Sequence, residues 1–113
     1  MTVTVYVDEI TEYGAEQTAG LPGTRFAHLT ADTLRELLDF AQLIRLNPAW
    51  LQKPNDPVGF HFDLTPGKRE HALTRGAKPV TKHELGQILA RRRKATELAR
   101  ATAAAEAAGT GRA

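Results

Sequence analysis

The feature that most constrains the fold is an alternation of short apolar runs with segments of helical spacing. In the first run, Val3, Val5 and Val7 alternate with polar residues, which is the two-residue period of a strand that buries one face. Residues 60–64 and 77–80 supply the second and third runs. Because helix-like segments separate the runs, parallel strands joined by right-handed crossovers are favoured. The sequence therefore predicts an α/β fold with a small, three-stranded parallel sheet flanked by helices.

Local start and stop signals predict where the three helices lie. The first and third helices each begin with a Thr and a Glu at the spacing of a capping box, at residues 33–36 and 81–84. The second helix begins at Thr65 and Pro66, because a hydroxyl cap followed by proline suits a first helical turn. Gly76 occupies the position after this helix that a left-handed backbone requires.

The 113-residue chain has the length and composition of one globular domain, with 42% hydrophobic and 25% charged residues. We assign residues 1–95 to a single α/β domain and residues 96–113 to a helix extension and a flexible, alanine-rich tail. The extension is expected to protrude and fray, because its few large apolar side chains give it little surface with which to dock. Residues 9–24 are expected to form a long loop, since they contain glycine and proline without periodicity.

The absence of cysteine excludes disulfides, thiolate metal sites and cysteine nucleophiles. It also suits a reducing compartment. The first strand-like run starts almost at Met1, so we expect no signal peptide, and no apolar run reaches the length of a membrane span. We therefore expect a cytoplasmic protein that does not interact with membranes.

Polar residues from several segments are expected to meet at the carboxyl ends of the strands, where ligands gather in parallel α/β sheets. Asp8 ends the first strand, and His61 and Asp63 share one face of the second. Four further residues near helix starts are expected at the same edge as ligand-binding groups: His28, Asp32, Lys68 and Arg69.

Three interpretations of this polar edge remain open from the sequence. In the first, Asp8 and Asp63 bind a divalent metal, with His61 as ligand or general base, and Asp8, His61 and Asp63 form the catalytic set. In the second, the histidines and the cations bind a phosphate or carboxylate without metal. In the third, the residues only cap and pack, with Asp32 as a helix cap.

A basic block of four residues near the C-terminus is the second candidate functional feature: Arg91, Arg92, Arg93 and Lys94. Such a block can contact nucleic acid or an acidic protein. A solvated helix face is the alternative explanation, because short basic runs are common on surface helices. The only tryptophan, Trp50, is expected in the core.

Several segments together resemble the domain of unknown function family numbered 4031, over roughly residues 3–89. The segments are VYVD at 5–8, FAHLTADT at 26–33, EL at 36–37, WLQ at 50–52, HFD at 61–63 and GA at 76–77. The resemblance implies a small bacterial or phage-encoded protein and implies no activity. The chain has VGF at 58–60, where many members carry a second histidine, and its alanine-rich tail lies outside the family pattern.

The leading functional hypothesis is binding or hydrolysis of a phosphate-containing ligand, a nucleotide or nucleic acid, at the polar strand-end site. A divalent metal would assist if the site is catalytic. The alternative hypothesis is a non-enzymatic bacterial or phage accessory protein that binds DNA or a host protein through the basic C-terminal helix.

Overall fold

The computed structural model describes residues 4–14 and 23–110. Within these ranges the chain forms a mixed sheet of five strands and three α-helices. The strands are β1 (Val5–Val7), β2 (Thr11–Glu12), β3 (Arg25–Ala31), β4 (Phe62–Leu64) and β5 (Lys78–Pro79). The helices are α1 (Leu34–Leu43), α2 (Pro66–Thr74) and α3 (Lys82–Thr110), and a short 3₁₀ turn covers Pro48–Trp50. The α/β class and the long C-terminal helix are confirmed.

Strand β3 is the centre of the sheet, and the sequence analysis did not predict it. Strands β1 and β2 pair antiparallel with one edge of β3, and β4 pairs antiparallel with the other edge. Strand β5 pairs parallel with β1. The three predicted strands correspond to β1, β4 and β5, and they run in one direction. The prediction of a three-stranded parallel sheet is nevertheless wrong, because β3 lies between β1 and β4. Strand β2 also forms inside the segment predicted to be a loop, of which residues 15–22 lie outside the described residues.

The sequence analysis missed β3 although the strand alternates apolar and polar residues. Ala27, Leu29 and Ala31 are fully buried on the core side, and His28 and Thr30 alternate with them. Two of these three core residues are alanines, which are depleted in strands, so the local strand signal is weak.

The predicted helix caps are confirmed. The Thr33 hydroxyl accepts from the backbone N–H of Glu36 at 3.1 Å, so the cap of α1 is Thr33 and not Asp32. The backbone N–H of Thr81 donates to Glu84 at 2.9 Å, and the backbone N–H of Glu84 donates to the Thr81 hydroxyl at 3.0 Å. This reciprocal pair fixes the start of α3.

Helices α1 and α2 cover one face of the sheet, and the first half of α3 covers the other. The larger core contains the buried side chains of β1, β3 and β4 together with those of α1 and α2. A smaller cluster joins Val80, Leu85 and Ile88 to Tyr6, whose side chain points to the opposite side of β1 from Val5 and Val7. Trp50 is 56% exposed, so its predicted place in the core is wrong.

The alanine-rich segment of α3 is helical through Thr110. Its side chains are exposed from residue 97 through residue 108, and Leu98 is exposed among them. Residues 111–113 of the predicted tail lie outside the described residues. In the described part of the chain, no helix combines the length and the apolar character that a membrane crossing requires.

Candidate functional site

A histidine and a carboxylate lie directly opposite each other at the centre of the sheet. The register of β3 and β4 pairs His28 with Asp63, and residues so paired project to the same face. His61 precedes Asp63 by two residues and therefore shares that face. The three side chains are each partly exposed, between 22% and 32%. The sequence analysis placed His28 before a helix, so its pairing with Asp63 depends on the unpredicted strand β3.

The buried carboxylate of Asp8 holds His28 in one orientation. Asp8 is 1% exposed, and one of its oxygens accepts from the backbone N–H of His28 at 2.5 Å. The other oxygen lies 2.8 Å from Nδ1 of the His28 ring. Because an ionised carboxylate only accepts hydrogen bonds, Nδ1 must carry the proton. In the neutral ring, Nε2 is therefore left with a lone pair that points away from Asp8.

His61 has the same arrangement with a different partner. Its Nδ1 lies 2.8 Å from the backbone carbonyl of Gly59, which can only accept. Nδ1 therefore donates, and Nε2 faces Asp63 Oδ1 at 3.3 Å. The Nε2 atom of His28 faces the same oxygen at 3.8 Å. Two imidazole nitrogens and one carboxylate oxygen thus converge on a common point.

This convergence has the geometry of a metal-binding group. Ligand atoms of His28, His61 and Asp63, which we call the histidine group, all lie within 4.8 Å of one another. Two ligands held at about 2.1 Å from one ion in tetrahedral geometry are roughly 3.4 Å apart. The 3.3 and 3.8 Å separations match that spacing to within a few tenths of an ångström. Metal-binding histidines commonly donate their second N–H to a carboxylate or a backbone carbonyl, and Asp8 and Gly59 supply those two acceptors.

The electrostatics of the group favour a positive charge between the three side chains. The hydrogen bond that His28 donates to Asp8 raises the pKa of His28, against the opposing effect of burial. Burial disfavours the charged form of Asp63, but the hydrogen bond from His61 and the charges of both histidines outweigh it and lower the pKa of Asp63. Asp63 is therefore a carboxylate at neutral pH, and either protons or a metal cation can balance it.

Asp8 does not join the three ligand residues directly, although the sequence analysis placed it among the metal ligands. Both of its oxygens are engaged by His28, so it approaches the group through that ring. The backbone carbonyl of Asp8 accepts from Arg69 Nε at 2.8 Å, which brings Arg69 to the end of β1 as predicted. Lys68 instead donates to the carbonyl of Ile44 at the end of α1, so its ammonium is held by that contact.

Two further residues at this face were not singled out in the sequence. The hydroxyl of Tyr13 lies 3.4 Å from His28 Nε2, and the two rings meet edge to face. The positive charge of Lys82, at the start of α3, opposes the raised pKa of His28. Tyr13 belongs to the segment predicted to be a loop, in which the sequence analysis named no candidate site residue.

Asp32 lies apart from the histidine group. Its carboxylate accepts from the hydroxyl of Tyr6 at 3.0 Å, on the sheet face that α3 covers. A groove beside this contact is lined by Tyr6, Asp32 and Arg91. Neither the predicted ligand-binding role nor the alternative helix-cap role of Asp32 describes this contact, because Thr33 caps α1.

The basic block does not act as one surface. Arg92 turns inward, where its guanidinium donates to the carbonyl of Val58 at 2.7 Å and to the carbonyl of Ala31. It also stacks over the ring of Phe60, with 4.1 Å between the guanidinium carbon and the ring centroid. Burial lowers its pKa. The three other cations of the block are exposed: Arg91, Arg93 and Lys94.

Comparison with known families agrees with the segments noted in the sequence. Residues 5–92 match the model of the family described as "Protein of unknown function (DUF4031)". The chain belongs to this family. The matched region contains the whole sheet, the histidine group and the start of the basic block, and it ends at Arg92. No curated protein and no solved structure matches the chain.

Proposed function

We propose that this member of the DUF4031 family binds a first-row transition-metal ion through His28, His61 and Asp63. We further propose that it uses the ion to bind or hydrolyse a phosphate-containing ligand, a nucleotide or a nucleic acid. The observation that supports the proposal most directly is the orientation of the two histidines. Nδ1 of each ring donates a hydrogen bond to a group that can only accept, and Nε2 of each ring faces the same oxygen of Asp63.

Ordinary polar packing explains the contact of His28 with Asp8, since a buried carboxylate needs donors. The Nε2 atoms of both histidines also face Asp63 Oδ1, and three acceptors around one point repel each other unless a proton or a cation lies between them. Two imidazoles and one carboxylate suit zinc, iron, manganese or cobalt better than magnesium or calcium, which prefer oxygen ligands.

Asp8 has a positioning role in this proposal. Its carboxylate fixes the ring orientation and the tautomer of His28 and makes Nε2 a better donor to the metal, as outer carboxylates do in other metal sites. This assignment replaces direct binding of the metal by Asp8. His61 and Asp63 keep the metal-binding roles that the sequence analysis gave them.

The phosphate-containing ligand is supported by the charges around the group. The ligand side chains are partly exposed, so an ion held there can also bind a molecule from solvent. Lys82 at the start of α3 adds positive charge near His28, and Arg69 donates to the backbone carbonyl of Asp8 at the end of β1. A metal ion in such a site supplies the chemistry of hydrolysis by lowering the pKa of bound water and by stabilising developing negative charge. A cytoplasmic location, expected from the absence of cysteine, is part of the same proposal.

Isothermal titration of the purified protein with Zn²⁺ and Mn²⁺ tests the metal site. We expect the His28→Ala variant to bind either ion at least about 100-fold more weakly, since outer-shell changes alone cost up to that factor. His71→Ala is the matched control, because His71 is an exposed histidine on α2 and should leave the affinity unchanged. Equal affinities in the two variants would contradict the site.

The metal-loaded protein then tests the phosphate ligand. Bis(4-nitrophenyl) phosphate is the probe for hydrolysis, and AMP and a short single-stranded oligonucleotide are the probes for binding. We expect one of these to bind or react in the wild type and to do so more weakly in Arg69→Ala. If the protein bound metal but none of these probes bound or reacted, the metal site would be supported and the proposed phosphate-containing ligand would be contradicted.

The accessory function remains a second candidate, in which the chain binds DNA or a host protein through α3. Three exposed cations favour it: Arg91, Arg93 and Lys94. Arg92 is unsuited to this role, because its guanidinium holds carbonyls of the domain itself.

A further inference from the structure

Trp50, the single tryptophan of the chain, borders a groove beside α1. Its side chain is 56% exposed, whereas all four phenylalanines are buried. The groove has a volume of about 820 Å³, which is within the range of small-ligand sites. Asn47 closes the turn that carries the tryptophan, because its side chain accepts from the backbone N–H of Ala49 and its carbonyl accepts from that of Trp50, both at 2.9 Å. The indole is therefore presented to solvent from a backbone that local hydrogen bonds hold in place.

The rim of the groove adds positive charge and an amide to this aromatic surface. Arg35 and Arg45 line it with one carboxylate, that of Asp39, which lies 3.4 Å from Nε of Arg35. Among the described residues, Arg45 has no carboxylate partner within ion-pair distance. Gln42 also lines the groove, and its amide both donates and accepts. The groove thus combines an aromatic face, a cation available to an anion and a polar group that can read a ligand edge.

The backbone of Arg45 is unusual for an arginine. Its φ of 58° lies in the left-handed region, directly after the cap residue of α1. Glycine is the usual residue at this position, and a residue with a side chain adopts this conformation less readily. Backbone conformations of this kind are concentrated at functional sites. Helix termination alone does not favour an arginine here, whereas a role for its charge does.

We propose that this groove binds single-stranded nucleic acid, with one base stacked on Trp50 and a phosphate held by Arg45. An aromatic face beside a cation matches a base and its phosphate, and single strands are bound in this way with little dependence on sequence. The choice of nucleic acid rests on the proposed function, but the groove itself requires no metal ion. The groove is also close to the histidine group along the chain, since Gln52 exchanges backbone hydrogen bonds with His61 at 2.8 and 3.2 Å.

Because Trp50 is the single tryptophan, its fluorescence reports on the groove directly. The protein is titrated in EDTA with a short oligothymidylate, and anisotropy of the fluorescein-labelled strand gives the affinity. We expect quenching of the tryptophan fluorescence and an affinity at least about fivefold lower in Trp50→Ala, with most of it recovered in Trp50→Phe. Leu43→Ala is the matched control, because Leu43 is an exposed apolar residue of α1 that does not line the groove. Its affinity should equal that of the wild type.

A second variant tests the cation without endangering the fold. Arg45→Gly suits the left-handed backbone, so we expect the unfolding temperature to be kept while binding weakens. The slope of log affinity against log salt concentration should become shallower by about 0.7, the value for one lost phosphate contact on a single strand. Lys53→Gly makes the same change at another residue with a positive φ, of 51°, and should leave affinity and slope unchanged.

The outcomes separate this groove from the metal site. An oligonucleotide that does not bind, or that binds without changing the fluorescence of Trp50, would overturn the groove, as would equal affinities in Trp50→Ala and Leu43→Ala. AMP that quenches as strongly as the strand at equal nucleotide concentration would overturn the single strand as ligand. A protein that fails to bind Zn²⁺ would overturn only the proposed metal site, because these measurements contain no free metal.

Discussion

The histidine group and the basic block differ in how sequence distance relates to spatial distance. His28 lies in β3 and Asp63 in β4, with His61 directly before β4. The two segments are more than 30 positions apart, yet the ligand atoms lie within 4.8 Å of one another. The four basic residues are consecutive on α3, yet Arg92 turns into the domain while its neighbours face solvent. Strand pairing brought the first set together, and the helical turn of about 100° per residue separated the second.

This difference shows which kind of pattern is informative about a site. A run of like charges on a helix is distributed around the helix axis, so its members meet different environments. Residues two apart on a strand keep one face whatever the strand pairs with, and His61 and Asp63 do so here. The partner that completes their group had to come from another strand.

The comparison between the histidine group and the basic block can be tested by mutation, and the largest loss of stability is expected at Arg92. Replacing Arg92 by alanine removes the hydrogen bonds to Val58 and Ala31 and the contact with Phe60, so we expect the free energy of unfolding to fall by about 2–3 kcal/mol. Arg93→Ala is the adjacent control and should change it by less than about 0.5 kcal/mol. Urea denaturation measures both. Equal losses in the two variants would mean that the block behaves as one surface after all.

The next effect concerns Asp8 and separates a positioning role from a purely structural one. In Asp8→Asn the shape is kept but the orienting charge on His28 is lost, so we expect Zn²⁺ affinity to fall by about 10- to 100-fold. Asp39→Asn, on the exposed surface of α1, is the control and should stay within about twofold. Titration calorimetry reads the affinities and thermal unfolding checks the fold. Unchanged affinity in a folded Asp8→Asn variant would rule out the positioning role.

A pH series should distinguish the metal-free site from the metal-bound site. The raised pKa of His28 gives the metal-free protein stability that is fully present below the ordinary histidine value and lost as pH rises through the raised value. Metal binding requires the unprotonated Nε2, so affinity should fall by about tenfold per pH unit once pH drops below the raised pKa. Thermal unfolding with and without Zn²⁺ between pH 5 and 8, roughly spanning the histidine range, measures both slopes. If the unfolding temperature changed with pH in the same way with and without Zn²⁺, protons and metal would not compete for His28 Nε2.

The smallest effect is expected from removing the exposed cations together. Replacing Arg91, Arg93 and Lys94 by alanine should leave metal affinity unchanged and the free energy of unfolding within about 0.5 kcal/mol. Fluorescence anisotropy with a labelled duplex tests the accessory function in the same variant. If α3 binds DNA, the DNA affinity of the variant should drop. The slope of log affinity against log salt concentration should also become shallower by about 0.9 for each lost phosphate contact. Identical binding in the variant and the wild type would remove the support for a DNA-binding helix.

Local chemistry made the helices predictable from the sequence. Capping residues act within four positions, so Thr33, Thr65 and Thr81 identified the starts of α1, α2 and α3 without knowledge of the rest of the fold. The same holds for Gly76, whose positive φ of 104° follows α2. The shared face of His61 and Asp63 was likewise fixed by the two-residue period of a strand.

Only the tertiary structure decided the centre of the sheet and the composition of the site. Strand β3 lies at the centre of the sheet, and its pairing with β4 brings His28 opposite Asp63. The carboxylate of Asp8 became a partner of His28 because β1 pairs with β3 and not with β4. Arg92 became partly buried because the packing of α3 brings its guanidinium to the ring of Phe60 and the carbonyls of Val58 and Ala31. Each of these outcomes depends on contacts between segments at least 20 positions apart, which no local pattern can encode.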